Sequence, residues 1–252
     1  MNTHEPIIDF SKIKATCTTC NLHELCLPRG LSVEDLNKLD YVIKGSRPIQ
    51  KNKHIFRSND SFHSFFAVRS GSVKAYTLNE SGEEQIIGFY FPGEILGFDA
   101  IEEHKHTCSA VALETTTVCS IPYTKLNEIS AQVPELQDQI LRLISREITK
   151  ENKLLLTINK RSAEERIATF LVSLSSRFQK LGYSAKEFNL PMSRQDIGNY
   201  LGLTIETVSR LFTKFQKNGL IKIDKKSISI QDLSTLRTIC EGFSDKSNNS
   251  VA

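Results

Sequence analysis

The chain has 252 residues, 39% of them hydrophobic, and carries 32 Lys and Arg against 29 Asp and Glu for a formal net charge of +3. That length holds one large or two ordinary domains, and no apolar run reaches the length of a bilayer-spanning helix, which speaks against a helical membrane protein. The small net charge hides an asymmetry: residues 1–133 carry 13 Lys and Arg against 16 Asp and Glu, whereas residues 161–226 carry 12 against 6. A basic C-terminal third points to a polyanion partner there and to another task upstream, although such a surplus is also common on solvated surfaces.

Residues 1–30 read as a polar arm containing the run Cys17-Thr-Thr-Cys20-Asn-Leu-His-Glu-Leu-Cys26. The first ten residues are polar and mixed in charge, unlike a secretory signal, so a cytoplasmic, reducing location is expected. There, clustered cysteines bind metal or do redox chemistry more often than they form disulfides. Structural zinc favours two close pairs. Here one close pair is followed by a five-residue gap, a pattern that fits an iron–sulfur cluster, whose thiolates come at varied spacings. Three thiolates in one short run cannot complete a tetrahedral set, and Cys119, some ninety residues on, is the candidate fourth. The bland alternatives remain a buried small hydrophobe, a disulfide, or zinc. Cys240 reads as the first of these, and Cys108 has no assigned role.

Residues 31–133 read as β. Strand-like segments recur at Ile55–Phe56, Phe65–Arg69, Val73–Leu78, Gln85–Phe91, Ala110–Leu113 and Thr117–Ile121, separated by turn signals at Ser70-Gly71, Asn79–Gly82 and Pro92-Gly93. Many short strands at such intervals predict a sandwich or barrel, and alternation through Val73, Ala75 and Thr77 predicts a half-buried strand. Cys119 falls on the last strand.

Residues 134–160 read as one long helix, opened by Pro134, where a missing N–H costs nothing. Ile144, Ile148, Leu155 and Ile158 recur at helical spacing and predict a seam for pairing with a second copy, with Glu151 as the one charge in the stripe. Two carboxylates facing across such a seam repel, which makes the homodimer marginal and open to control. The alternatives are that the stripe packs on its own domain, or that Glu151 reaches solvent or a lysine such as Lys150 or Lys153.

Residues 161–243 contain a helix-turn-helix. Ser193 and Asp196 form a reciprocal N-terminal cap, Gly198 allows close helix approach, Gly202 makes the turn, and Thr204 caps a second helix whose inner face is Val208, Leu211 and Phe215. Asn218-Gly219 ends that helix, and residues 220–230 predict a β-hairpin wing. Glu206, Ser209, Arg210 and Thr213 share the outward side of the second helix. Arginine bonds guanine O6 and N7 bidentately and glutamate accepts from cytosine N4, so Glu206, Ser209 and Arg210 are the candidate base readers, with a plain helix ion pair as the alternative. Arg194, Lys214 and Lys217, with Lys222, Lys225 and Lys226, are candidate phosphate contacts. A tail at 244–252 is expected to be disordered.

The order of cysteine arm, jelly-roll-like β-roll, long helix and winged helix-turn-helix, an α+β architecture, resembles the FNR branch of the cyclic-AMP-receptor superfamily, oxygen-responsive bacterial transcription regulators. The stretches Gly93–Ile101, Ala163–Ala168 and Asp196–Thr204 carry the likeness. The resemblance implies that Cys17, Cys20, Cys26 and Cys119 hold a 4Fe–4S cluster that oxygen converts to a 2Fe–2S form, weakening the dimer and its DNA binding. It also implies that Glu206, Ser209 and Arg210 read TTGAT-like half-sites in inverted repeat, and that RNA polymerase is a partner. The chain departs from the family in its shorter, more polar arm and in His23 and Glu24 beside the third ligand.

Two other readings stand beside this one. A cyclic-nucleotide regulator on the same scaffold needs an arginine for the phosphate. The corresponding stretches here are Gly97-Phe98-Asp99 and His106-Thr107-Cys108-Ser109, without one. A zinc or thiol redox regulator needs only the cysteines. No phosphate loop, nucleophile elbow or paired carboxylates point to an enzyme, and an electron-transfer protein has no use for a capped helix-turn-helix.

Overall fold

The computed structural model of the chain describes residues 16–45 and 48–242; the expected tail and the first half of the cysteine arm lie outside the described residues. Two units result. One runs to Leu143, less the segment Leu78–Gly88, and the second comprises that segment and the chain from Ile144 on.

The first unit begins with a series of tight turns. Backbone N–H groups of Cys20, His23, Leu25, Cys26 and Arg29 donate to carbonyls three or four residues earlier. Helix α1 (Val33–Asp40) follows, its N-terminus capped by Ser32 accepting from Asp35 N. Then come β1 (Lys44–Gly45), β2 (His54–Phe56), β3 (Ser64–Ser70), β4 (Val73–Leu78), β5 (Glu84–Tyr90), β6 (Ile95–Leu96), β7 (Ser109–Ala112) and β8 (Thr117–Pro122), with Leu78 of β4 and Glu84–Gly88 of β5 counted in the second unit. They form two four-stranded sheets of order β1-β8-β3-β6 and β2-β7-β4-β5, the two-sheet β architecture that the strand spacing predicts and the β-roll that the resemblance implies.

The region is less purely β than the sequence indicates. Besides α1, helix α2 (Tyr123–Ser130) closes the roll after Pro122. Both are eight-residue helices with a narrow apolar face, a period that short strands on either side drown out. On β4, Val73 and Ala75 are buried as alternation requires, but Tyr76 is buried too, its hydroxyl 2.9 Å from His54 Nε2.

Helix α3 (Pro134–Lys160) contributes to both units. The second unit then adds α4 (Ala163–Lys180), β9 (Glu187–Asn189), α5 (Arg194–Leu201), α6 (Ile205–Lys217), β10 (Ile221–Asp224), β11 (Ser227–Ile230) and α7 (Leu233–Glu241). The wing is three-stranded rather than two-stranded, order β10-β11-β9. The helix-turn-helix forms as its residues dictate. Ser193 and Asp196 make the reciprocal cap, and Gly202 turns the chain at φ 64°. Thr204 accepts from Thr207 N, and Val208, Leu211, Phe212 and Phe215 bury the inner face of α6.

Gly198 is where the two helices meet: a Cβ there would lie 2.6 Å from the Leu203 carbonyl oxygen. That oxygen is backbone, so relief requires moving the turn. Gly198→Ala is therefore expected to destabilise this unit by about 1–3 kcal/mol, read as a lowered thermal midpoint, with the β-roll unaffected.

Candidate metal centre and nucleic-acid interface

All six cysteines are free thiols. The structure brings four of them to one cavity. Cys17, Cys20 and Cys26 from the arm and Cys119 from β8 line it, with Leu22, Pro28, Ile43, Ala67, Val68 and Ile121 as apolar wall and His23 and Arg69 at its edge. Cys17 is buried in the core of the first unit, and Cys26 and Cys119 pack against that core. Among the described residues no three His, Cys, Asp or Glu side chains converge as a single metal ion requires; the four thiols instead ring a hollow.

The local folding explains how they get there. On β8, Cys119 pairs with Gly45 of β1 and with Ala67 of β3, two small residues that leave room beside the thiol. The β3–β8 register shifts between Val68 and Ser70, so Arg69 is the extra residue of a bulge, the device that re-aims a side chain at the edge of a site. The arm is seated closely: Gly93, at φ 87°, would place a Cβ 2.9 Å from Leu25 Cβ.

Burial disfavours bare thiolates at this site. Burial raises the Cys17 thiol well above the ordinary cysteine value, with Asp40, Cys26 and Cys119 adding to it. Burial likewise pushes Cys26 up to about 12, against a backbone N–H donated by Leu27 and with help from Cys119 and Cys20. Burial also raises Cys119, while the Arg69 guanidinium opposes it. These thiols stay protonated in neutral solution unless a cation replaces the proton. Four sulfur donors at one apolar hollow, with a guanidinium to offset charge, fit a polynuclear iron–sulfur group. His23 is turned elsewhere: Nδ1 lies 2.9 Å from the Cys20 carbonyl oxygen and Nε2 3.1 Å from Glu24.

The other two cysteines sit apart. Cys108 is buried in a separate apolar cluster, its Sγ donating to Asp99 at 3.5 Å. Cys240 is half-buried on α7. Asp99 is the centre of a network that no sequence motif reveals. It accepts from Thr107 N at 2.8 Å and Cys108 N at 3.4 Å and lies 3.5 Å from Nδ1 of His106, which stacks on Phe56. Burial works against its charge, but the contacts from His106 and the Thr107 N–H hold its carboxyl below the usual range.

On α6, Glu206, Arg210 and Thr213 are exposed and Ser209 is half-buried. Among the described residues Glu206 and Arg210 make no ion pair with each other, so both heads are available to a partner. Ser209, Arg210, Thr213, Lys214, Lys217 and Asn218 line an open hollow. Lys214 is engaged by Glu164 at 2.6 Å. Arg194 lies with its guanidinium 4.3 Å from the Phe212 ring centroid; one of its nitrogens, Nη1, is buried and unpartnered among the described residues.

Along α3, Leu141, Ile148 and Leu155 are 60, 53 and 58% exposed, one heptad apart. Ile144 and Ile158 are half-buried, and Glu151 is exposed. Glu151 makes no ion pair among the described residues, and Lys150 is held by Glu147 at 3.0 Å. What burial Glu151 has, together with the Glu147 carboxylate, raises its carboxyl above the usual range against the pull of Lys150.

A β-roll with a thiol-lined hollow, a long helix with an uncovered apolar stripe and a winged helix-turn-helix define a signal-gated DNA-binding regulator. Residues 190–221 match the model of the bacterial regulatory proteins of the crp family, and residues 46–133 that of the cyclic nucleotide-binding domain. The chain is 49% identical to the transcriptional activator protein anr of Pseudomonas aeruginosa, over 91% of this chain and 94% of that one. It is 48% identical to the anaerobic regulatory protein of Haemophilus influenzae, over 87% and 86%. Among solved structures, FixK2 from Bradyrhizobium japonicum superposes with a TM-score of 0.72 at 25% identity, covering 84% of this chain and all of that one. The chain belongs to the Crp family of bacterial regulators, in its FNR branch. It is a DNA-binding transcription regulator of the anaerobic type and not an enzyme.

Proposed function

We propose that the chain senses oxygen through a 4Fe–4S cluster held by Cys17, Cys20, Cys26 and Cys119, and that the cluster favours the dimer that binds DNA. The observation that supports this reading is the meeting of three arm thiols and the Cys119 thiol at one hollow. When bound, the cluster supplies the oxygen-reactive chemistry. The chain's own residues do the rest. The arm turns and β8 present the thiols, Arg69 offsets negative charge, the α3 stripe pairs two copies, and α6 carries the readout. Glu206, Ser209 and Arg210 read TTGAT-like half-sites in inverted repeat, about 34 Å apart in a two-fold dimer. Arg194, Lys214 and Lys217 contact phosphate, and RNA polymerase in the cytoplasm is the further partner. The deciding experiment is an absorption spectrum of anaerobically prepared protein with iron and sulfide assays. A brown chain that bleaches in air is expected; a colourless one with zinc or no metal overturns the reading.

A cyclic-nucleotide regulator is the second reading, favoured by the match over residues 46–133. Against it, the stretch His106–Ser109 offers no arginine for a ligand phosphate, and the N–H groups of Thr107 and Cys108 point to the Asp99 carboxylate.

The DNA-reading roles separate by salt and sequence. Arg210→Ala is expected to cost about 1–3 kcal/mol on a matched half-site and relax preference at one base pair. Lys217→Ala should weaken all duplexes alike and flatten the salt slope. Titrations on matched and mismatched duplexes check both; equal loss on both for Arg210→Ala would make it a phosphate contact only.

A further inference from the structure

One carboxylate reaches the cysteine arm from elsewhere in the chain. Asp40, the last residue of α1, accepts the Cys17 N–H on Oδ1 and the Thr18 hydroxyl on Oδ2, the latter at 3.1 Å. The position is unfavourable for an acid in two ways. A carboxylate in the last turn of a helix faces the negative end of the helix dipole, and this one raises further the pKa of a thiol that must ionise to bind metal. The two hydrogen bonds are the contacts that offset both. They join the first ligand-bearing turn to a helix that starts sixteen positions later in the chain, and Cys17 is buried in the same apolar cluster as Leu39 and Ile43.

We propose that Asp40 is a positioning residue, which pins the Cys17 turn to α1 before metal arrives and so presents the Cys17 thiol to the hollow as a pre-set ligand. What that thiol binds rests on the cluster reading above; the pinning does not. A ligand already held in place loses less freedom on binding, and a metal site needs its ligands fixed by contacts outside the first ring. The carboxylate does this with geometry that an amide also provides: in Asp40→Asn the new side chain would accept the Cys17 N–H and donate its own N–H to Thr18 Oγ1.

The test uses Asp40→Ala, Asp40→Asn and Thr18→Val in the full chain. In cluster-free protein, hydrogen–deuterium exchange of the peptide spanning Cys17 and Thr18, which reads the Cys17 N–H contact and not the thiol's charge, is followed by mass, with the peptides of Cys108 and Cys240 as internal controls. In anaerobically reconstituted protein, transfer of iron to a chelator is timed. Asp40→Ala should raise both rates about tenfold, the loss of hydrogen bonds to a charged group. Thr18→Val, which keeps the Cys17 contact, should raise them severalfold at most, and Asp40→Asn should stay within about twofold of the parent. Rates unchanged in Asp40→Ala overturn the proposal. So does an Asn variant as fast as Ala, because the effect would then be charge rather than positioning. Should Asp40→Ala fail to fold, Thr18→Val decides: rates at least doubled support the pinning, and rates equal to the parent's overturn it. A parent that takes up no iron and sulfide defeats the cluster reading alone, since exchange at the Cys17 N–H still judges Asp40.

Discussion

Cys119→Ser is expected to abolish assembly of the proposed cluster, iron and sulfide falling from about four of each to background in anaerobically reconstituted protein. The expectation follows from how the thiols are placed. The arm supplies three, and the fourth comes from β8, where the register with Gly45 and Ala67 fixes it. A serine oxygen there is a harder donor at the same apolar wall and does not replace thiolate on iron. Cys17→Ser, Cys20→Ser and Cys26→Ser should behave the same way. Cys108→Ser and Cys240→Ser should keep the full complement, because neither lies at the hollow. The reverse pattern, cluster lost with Cys108 and kept without Cys119, would show the fourth ligand to be misassigned.

Glu151→Ala should shift the cluster-free chain towards dimer and allow DNA binding in air. Leu141, Ile148 and Leu155 leave an apolar stripe uncovered, with Glu151 in its path and no cation paired to it among the described residues. In a parallel pair each copy brings this carboxylate towards its twin. At a few ångströms and an effective dielectric near that of a protein surface, such repulsion is worth about 1–4 kcal/mol before salt screening, so removing it should tighten the dimer by roughly ten- to a hundredfold. Acidification should act in the same direction: the carboxyl titrates above the usual range, and its charge, the source of the repulsion, is lost as pH falls through that raised value. Sedimentation velocity of the cluster-free forms decides. An alanine variant as monomeric as the parent, or a parent already tightly dimeric, defeats the idea.

The parts of the fold governed by near neighbours are legible in the sequence. Ser193 with Asp196, and Thr204 before its helix, are capping signals complete within four residues, and Phe65–Arg69 and Thr117–Ile121 are strands by composition alone. What stays hidden depends on partners far along the chain. Nothing near Asp40 marks it as an acceptor for Cys17, and nothing near Arg69 marks a bulge, which exists only as a mismatch against β8. In the sequence Asp99 stands out for what it fails to offer a nucleotide, not for the two backbone N–H groups it takes. β9 becomes a strand because β11 lies alongside it. The cysteines are readable as a set by spacing, but their common hollow needs β8 to run next to β3.

The pairing of Cys119 has a consequence for what sequence drift this protein tolerates. Its thiol is aimed by a strand hydrogen-bonded on both sides, and strand side chains alternate faces with a period of two. A single residue inserted or deleted between Thr117 and Cys119 would turn the sulfur to the opposite face while leaving every cysteine in the chain. The turns of the arm have no such parity, and their spacing can change by a residue with local adjustment. Descendants of this chain should therefore vary in the length of the arm far more readily than in the odd–even count along β8, and a lineage could lose the proposed cluster by a frame slip of one pleat, with all four cysteines intact.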